Sequence, residues 1–174
     1  MSRVAAIAGE FRRYRGLAEG ALAQVGDDAA LHRALGADDN SIAVIMQHVG
    51  GNLRSRFTDF LTSDGEKPWR DRDGEFVDAG ATRADLLARW NAGWDALHAA
   101  LAALDPDDLA RTVTIRGQPL TVEEALQRAV AHTAYHVGQI VLLARWIVGE
   151  RWTSLSVARG GSAAYAKAPT RERA

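Results

Sequence analysis

Apolar side chains recur at three- and four-residue steps in four long stretches of the chain, a periodicity that is typical of amphipathic helices. These stretches cover approximately residues 4–25, 42–61, 86–104 and 122–148. Each predicted helix has one apolar face, which must be buried against the other helices. The pattern therefore predicts an all-α fold, a four-helix bundle.

Capping residues support these boundaries. Asn40 or Ser41 can cap the second helix, because their short polar side chains accept hydrogen bonds from the first free backbone amides. The segments Thr82-Arg-Ala-Asp85 and Thr121-Val-Glu-Glu124 match capping patterns at the starts of the third and fourth helices. Asp105-Pro106 is expected to end the third helix.

The connections differ in length. Residues 62–81 form a long polar loop after the second helix, and a loop of this length in a compact domain is usually functional or packed over something. Alternating side chains around Arg116-Gly117 predict a short two-stranded excursion before the last helix. We expect residues 1–168 to form a single domain and residues 169–174 a frayed tail.

Composition removes several classes of function. The chain of 174 residues has no cysteine, which excludes disulfides, thiolate metal sites and a cysteine nucleophile. Its 21 basic and 22 acidic residues are interspersed, giving a net charge of -1, so we expect no nucleic-acid partner. The amino-terminal segment carries charges that a signal peptide would lack, and no apolar run approaches the roughly 20 residues of a membrane span. We expect a cytoplasmic protein without a membrane partner.

Three histidines form the candidate site. In the segment HTAYHVGQ, His132 and His136 are four residues apart and lie on nearly the same face of the fourth helix. Both border its apolar stripe, and His48 occupies the same position on the second helix. If the two edges face each other, three imidazoles meet. The same spacing is common among surface histidines, so spacing alone does not define a metal site.

The spacing also separates this pattern from other metal sites. A zincin needs Glu directly after its first histidine, where this chain has Thr133, and no histidine is preceded by the Glu-x-x of di-iron bundles. A mononuclear three-histidine site remains. Imidazole ligands favour zinc, nickel or iron over magnesium or calcium.

Four polar residues near the histidines are further candidates. Asn52 and Arg56 could orient His48 or bind an anionic substrate, although an ion pair between Arg56 and Asp59 is an equally good interpretation. Asp59 could also act as a general base, as could Glu124, but both have structural roles as well. Gln139 could orient a histidine or simply face solvent.

The strings QHVGGNLRSRFTDFLTSDGEKPWRDRDGEF, HTAYHVGQI and WTSLSVARGGSAAY resemble a bacterial family of unknown function within the DinB-like superfamily, and the resemblance covers nearly the whole chain. This resemblance implies a four-helix bundle, commonly dimeric, that holds a divalent metal through one histidine of the second helix and two of the last. By position, those are His48, His132 and His136. Characterised members of the superfamily include transferases and isomerases that use low-molecular-weight thiols.

Two hypotheses follow for the function. The first is a metal-dependent enzyme, a thiol-dependent transferase or a metal-water hydrolase acting on a small molecule, whose thiol must come from a diffusible cofactor because the chain has no cysteine. The alternative is a non-catalytic dimeric protein that binds a metal or small ligand in stress adaptation. For the expected homodimer, Val137, Val141 and Val148 are candidate surface residues.

Overall fold

The computed structural model describes residues 2–170 and contains four long helices. Helix α1 spans Arg3–Leu22, α2 spans Ile42–Phe57, α3 spans Arg83–Ala102 and α4 spans Val122–Val148. A single short turn of helix, α5, covers Ser162–Tyr165. Strands β1, Thr112–Ile115, and β2, Gln118–Thr121, pair in an antiparallel hairpin directly before α4. The mostly helical fold with a short β excursion is confirmed.

The predicted caps start the helices. The Ser41 hydroxyl accepts a hydrogen bond from the Val44 amide, and Thr82 and Thr121 form reciprocal capping boxes with Asp85 and Glu124. Such caps satisfy backbone amides that have no partner within the helix. The first residue of each of these helices is therefore set by local sequence.

Helix α2 ends earlier than its apolar pattern predicts. The periodicity continues to residue 61, but Thr58 is extended and Asp59 adopts a left-handed conformation with φ of 49°. A helix cannot continue through a residue with positive φ. The apolar side chains of Phe60 and Leu61 instead pack on the core from the beginning of the loop.

The four helices form a bundle with one contiguous core. Helix α2 packs against α3, α1 packs against α4, and contacts of α2 with α4 and of α1 with α3 close the ring. The two tryptophans of α3, Trp90 and Trp94, are fully buried at its centre. Helices α2 and α3 approach closely, since a Cβ added to Gly50 would lie 2.7 Å from the Arg89 carbonyl oxygen.

The long loop after α2 is fixed to the hairpin. The turn at Arg116 and Gly117 has positive φ at both residues, 54° and 71°, as a tight hairpin turn requires. The Asp64 carboxylate accepts hydrogen bonds from both of these amides, each at 2.8 Å. Burial alone would raise the pKa of Asp64, but its backbone hydrogen bonds hold that pKa well below its ordinary value. The loop is thus an ordered part of the domain.

The surface residues predicted for α4 are partly wrong. Val137 and Val148, two of the three valines expected on the surface, are buried in the core. The exposed apolar side chains of α4 are instead Tyr135, Leu142 and Trp146.

Of the predicted tail, residues 171–174 lie outside the described part of the chain. Among residues 2–170, no helix combines the length and apolarity that crossing a membrane requires.

Candidate metal centre

The three predicted histidines meet inside the bundle. His48 of α2 and His136 of α4 are buried, and His132 is half-buried. Their candidate donor atoms lie within 4.8 Å of one another, and the Nε2 atoms of His48 and His132 are 3.1 Å apart. Bonds of about 2.0 to 2.1 Å around a tetrahedral ion would place nitrogens roughly 3.3 Å apart. The separation of these two atoms therefore suits a shared ion.

His48 is oriented by a carboxylate from the long loop. Its Nδ1 lies 3.0 Å from Oε2 of Glu75, which can only accept a hydrogen bond when ionised. The proton of the neutral ring is thereby held on Nδ1, leaving the Nε2 lone pair directed toward His132. The ring of Phe76 packs against the imidazole at a centroid distance of 4.5 Å. A carboxylate behind a histidine is the usual arrangement around a metal ligand.

Arg70 fixes Glu75 in turn. Its Nε and Nη2 atoms donate to the two carboxylate oxygens at 2.8 and 2.7 Å, a bidentate ion pair. The Arg70 side chain is only 2% exposed and that of Glu75 only 10%. Burial raises the pKa of Glu75, but the hydrogen bonds from Arg70 and His48 outweigh it and bring that pKa below the ordinary value. Glu75 therefore remains an acceptor at neutral pH.

His136 is oriented from its own helix. Its Nδ1 lies 2.8 Å from Oε1 of Gln139, and the amide nitrogen of Gln139 is 3.4 Å from the Tyr135 hydroxyl. The amide oxygen accepts the Nδ1 proton and leaves Nε2 of His136 as the candidate ligand. The orienting role predicted as one interpretation of Gln139 is the one that this geometry supports.

The environment keeps His132 and His136 neutral. Burial lowers the pKa of His132 to about 3, with smaller contributions from His136, His48, Arg70 and Arg56. Burial also lowers the pKa of His136, despite the opposing hydrogen bond with Gln139. A neutral imidazole has the lone pair that a metal needs. The cluster could therefore hold a metal ion at neutral pH.

Of the remaining predicted residues, Asn52 and Arg56 lie in the wall of a cavity beside the cluster and Asp59 does not. Asn52 and Arg56 line a cavity that His48 and His132 also line. Arg56 donates from Nη1 to the Gly65 carbonyl and, at 3.2 Å, to Glu66, so its ion pair is with Glu66 and not with Asp59. Asp59 is exposed at the end of α2 and is not among the residues that line the cavity.

Sequence reasoning missed Glu75 and Arg70. Glu75 is 27 residues from His48 in the sequence, within a loop that has no periodicity to predict which side chains turn inward. The available signal was indirect: a long loop of charged residues containing Trp69 and Phe76, next to a helix with a candidate ligand. That signal predicts a covering loop but no particular contact.

The fold and the cluster define a class: a helical bundle with a cluster of three histidines contributed by two of its helices. The family model described as "Protein of unknown function (DUF1572)" matches residues 2–161, and the chain belongs to that family. Comparison with curated proteins gave no match, and comparison with solved structures gave none either.

Proposed function

We propose that this protein is a divalent-metal-dependent enzyme of the DinB-like superfamily, with His48, His132 and His136 as the metal ligands. The observation that supports the proposal is the convergence of two buried imidazoles and one half-buried imidazole, two of the three held by hydrogen bonds at Nδ1 so that Nε2 remains available. A random surface cluster has no reason to be oriented in this way. We retain the cytoplasmic location expected from the sequence as part of this proposal.

The proposed metal is zinc, nickel or iron, since neutral nitrogen ligands suit these ions. Three uncharged ligands preserve the 2+ charge of a bound ion, which supplies Lewis acidity toward water or a thiol. We therefore propose a thiol-dependent transfer or a hydrolysis of a small molecule. Because the chain contains no cysteine, the thiol would be a diffusible low-molecular-weight compound.

The chain's own residues hold the site in one arrangement. Glu75 keeps the Nδ1 proton of His48 in place, and Arg70 prevents the carboxylate from turning away. Gln139 performs the same task for His136. Restricting the rotation of ligands before binding lowers the entropic cost of assembling a site.

A non-catalytic metal- or small-ligand-binding protein remains the second candidate because of one observation. The residues that line the cavity beside the histidines include no carboxylate, and the expected bases Asp59 and Glu124 are both exposed and outside that lining. Glu124 is occupied as the capping residue of α4. A reaction that needs a carboxylate base would therefore need one from elsewhere, whereas binding would not.

Metal content tests the first part of the proposal. Protein purified without an affinity tag should contain about one transition metal per chain by elemental analysis, and His136→Ala should lose it. His32→Ala is the matched control, because His32 lies outside the cluster, and it should retain the metal. Equal metal content in all three proteins would contradict the ligand assignment.

Turnover distinguishes the enzyme from the binder. The metal-loaded protein should accelerate the reaction of a low-molecular-weight thiol with an electrophile, or the hydrolysis of a small ester or amide, and His48→Ala should abolish the acceleration. Metal binding without turnover across a broad panel of these substrates would favour the binding protein.

We also propose that the protein forms a homodimer through α4. Tyr135, Leu142 and Trp146 are spaced by seven and four residues, which places them on one side of the helix, and they are 64%, 60% and 43% exposed. An aligned set of exposed apolar side chains is typical of an association surface. Sedimentation should give a dimer for the parent and a monomer for Leu142→Glu; a monomeric parent would contradict this proposal.

A further inference from the structure

A cleft of about 200 Å³ opens beside the histidine cluster. It lies between α2, α4, the β1–β2 hairpin and the long loop, and both His48 and His132 contribute to its wall. Cavities of about 150 Å³ accommodate a benzene ring in other proteins, so this space suits a small organic molecule. Any such molecule would lie directly against two of the candidate metal ligands.

The wall of this cleft is strongly cationic. No Asp or Glu is among its lining residues, while five arginines are: Arg56, Arg70, Arg72, Arg116 and Arg128. Just outside, the Glu66 carboxylate is shared by three of them, at 3.2 Å from Arg56, 3.6 Å from Arg70 and 3.0 Å from Arg116. Glu75 also pairs with Arg70, so two carboxylates face these three guanidinium groups, and Arg128 adds a further positive charge. The cleft therefore carries uncompensated positive charge.

Two arginines have guanidinium donors that form no hydrogen bond within the described residues, although Nη1 of Arg70 lies 3.6 Å from Glu66. Nη1 of Arg70 is buried without a hydrogen-bond partner among the described residues, although the side chain is only 2% exposed. It lies on the side facing Glu66, since Nε and Nη2 are bound to Glu75. Arg128 forms no ion pair within residues 2–170. A buried donor without a partner is costly, and an anion in the cleft would satisfy it.

The positions of Arg128 and His132 along α4 indicate how a ligand would be oriented in the cleft. Arg128 precedes His132 by one turn of α4, a rise of roughly 6 Å. The wall also has apolar members, Phe57, Phe60, Val113 and Ile115. An anionic group near Arg128 and a reactive group near the histidines would thus be separated by about the length of one benzene ring and its substituents.

We propose that this cleft binds a small organic anion, a carboxylate or a phosphate ester with a short apolar body, whose charge is attracted by the cationic wall and whose charged end is bound by Arg128. Arg56 and Arg116 add to the field that attracts it. As a statement about substrate class, the inference rests on the proposed function, but the binding itself does not require a metal.

The test is a titration of the metal-free protein, followed by the amide and guanidinium signals in NMR spectra. Benzoate and phenyl phosphate are the anionic probes, and benzamide is the neutral isostere of benzoate. At least one anion should shift the signals of Thr114, Ile115 and the cleft arginines and bind about tenfold more tightly than benzamide. Whichever anion binds more tightly identifies the charged group.

Variants at exposed positions complete the test without threatening the fold. Arg128→Gln should weaken anion binding about tenfold. Arg145→Gln removes the same charge from the same helix outside the cleft and should leave the affinity unchanged. Equal effects of both variants, binding of both anions no tighter than that of benzamide, or no binding of either anion would overturn the inference.

The same titration with zinc-loaded protein separates this inference from the proposed function. Anion binding to a protein that takes up no metal would retain the cleft assignment and reject the metal-dependent enzyme. Anion binding that appears only with zinc, and that Arg128→Gln leaves unchanged, would make the anion a ligand of the ion and overturn the cleft assignment.

Discussion

Two histidine–carboxylate pairs attach the long loop to the helical body, and they differ in what their second ring nitrogen faces. His32 places Nδ1 2.7 Å from Asp78 and Nε2 3.1 Å from the Ala81 carbonyl oxygen. His48 places Nδ1 3.0 Å from Glu75 and Nε2 toward His132. In the first pair, both nitrogens are used to hold the loop. In the second, one nitrogen remains for a ligand.

Burial widens this difference. The side chains of His32 and Asp78 are 25% and 31% exposed, whereas those of His48 and Glu75 are 5% and 10% exposed. Water can replace either partner in the outer pair, His32 with Asp78, but not in the inner pair, His48 with Glu75. Glu75 also neutralises the buried Arg70. The same kind of pair therefore holds a loop at the surface in one place and orients a candidate metal ligand in the other, according to its surroundings.

The largest effect is expected from Glu75→Ala. Removing the carboxylate leaves the Arg70 guanidinium buried and unpaired, which should lower the free energy of unfolding of the metal-free protein by about 3–5 kcal/mol. The equivalent change in the outer pair, Asp78→Ala, should cost about 1 kcal/mol. Urea denaturation measures both, and equal losses would remove the distinction between the pairs.

Glu75→Gln is a milder substitution that tests whether the carboxylate orients His48 for metal binding. The amide can still contact His48, but it no longer carries the charge that favours the Nδ1 proton, so metal affinity should fall about 10- to 100-fold. Competition with a chelating dye gives this ratio. Asp78→Asn is the matched control, and a comparable loss of metal affinity there would show that the loop as a whole, not the carboxylate, supports the site.

Acid should reveal the inner pair through the pH dependence of stability. The pKa of Glu75 is lowered on folding from its ordinary 4.5: burial opposes this change, and the hydrogen bonds of Arg70 and His48 outweigh burial. The ionised group therefore stabilises the fold above about pH 4.5, and this contribution is lost as the pH falls through the lowered value. Denaturation of metal-free protein between neutral and acid pH should show a shallower acid loss in Glu75→Gln than in Asp78→Asn. The reverse order would contradict the comparison.

The smallest effect is expected from His32→Ala. A partly exposed ion pair contributes about 0–1 kcal/mol, so global stability should change little and metal affinity not at all. Hydrogen exchange should still be faster at Gly80 and its neighbours, since Asp78 accepts the Gly80 amide and binds His32. Loss of metal in this variant would place His32 within the site.

The sequence predicted the helices better than it predicted the site's supports. Periodicity located all four long helices, and the capping residues at Ser41, Thr82 and Thr121 located three of their starts. The end of α2 was missed because Phe60 and Leu61 continue the apolar period although Asp59 has already broken the helix. Apolar spacing indicates which residues are buried, and residues of a loop that packs against the core, such as Phe60 and Leu61, are partly buried as well.

The candidate ligands were predictable because helical geometry turns spacing into direction. His132 and His136 had to share a face, and His48 occupied a matching edge, so their meeting depended only on how two helices pack. Glu75 and Arg70 lie in irregular backbone, where neighbouring residues give no such rule. The prediction of surface valines on α4 was wrong because spacing alone did not show which face of the helix is buried. Val137 and Val148 lie on the buried face, and Leu142 lies on the exposed one.

The central claim is that His48, His132 and His136 are the ligands of one metal ion, and diffraction from zinc-loaded crystals at the zinc absorption edge tests it most directly. The account predicts a single strong anomalous peak per chain, about 2.0 to 2.1 Å from Nε2 of each histidine, with Glu75 still on Nδ1 of His48. An anomalous map with no peak among these three side chains, or with the ion bound by other residues, would contradict it.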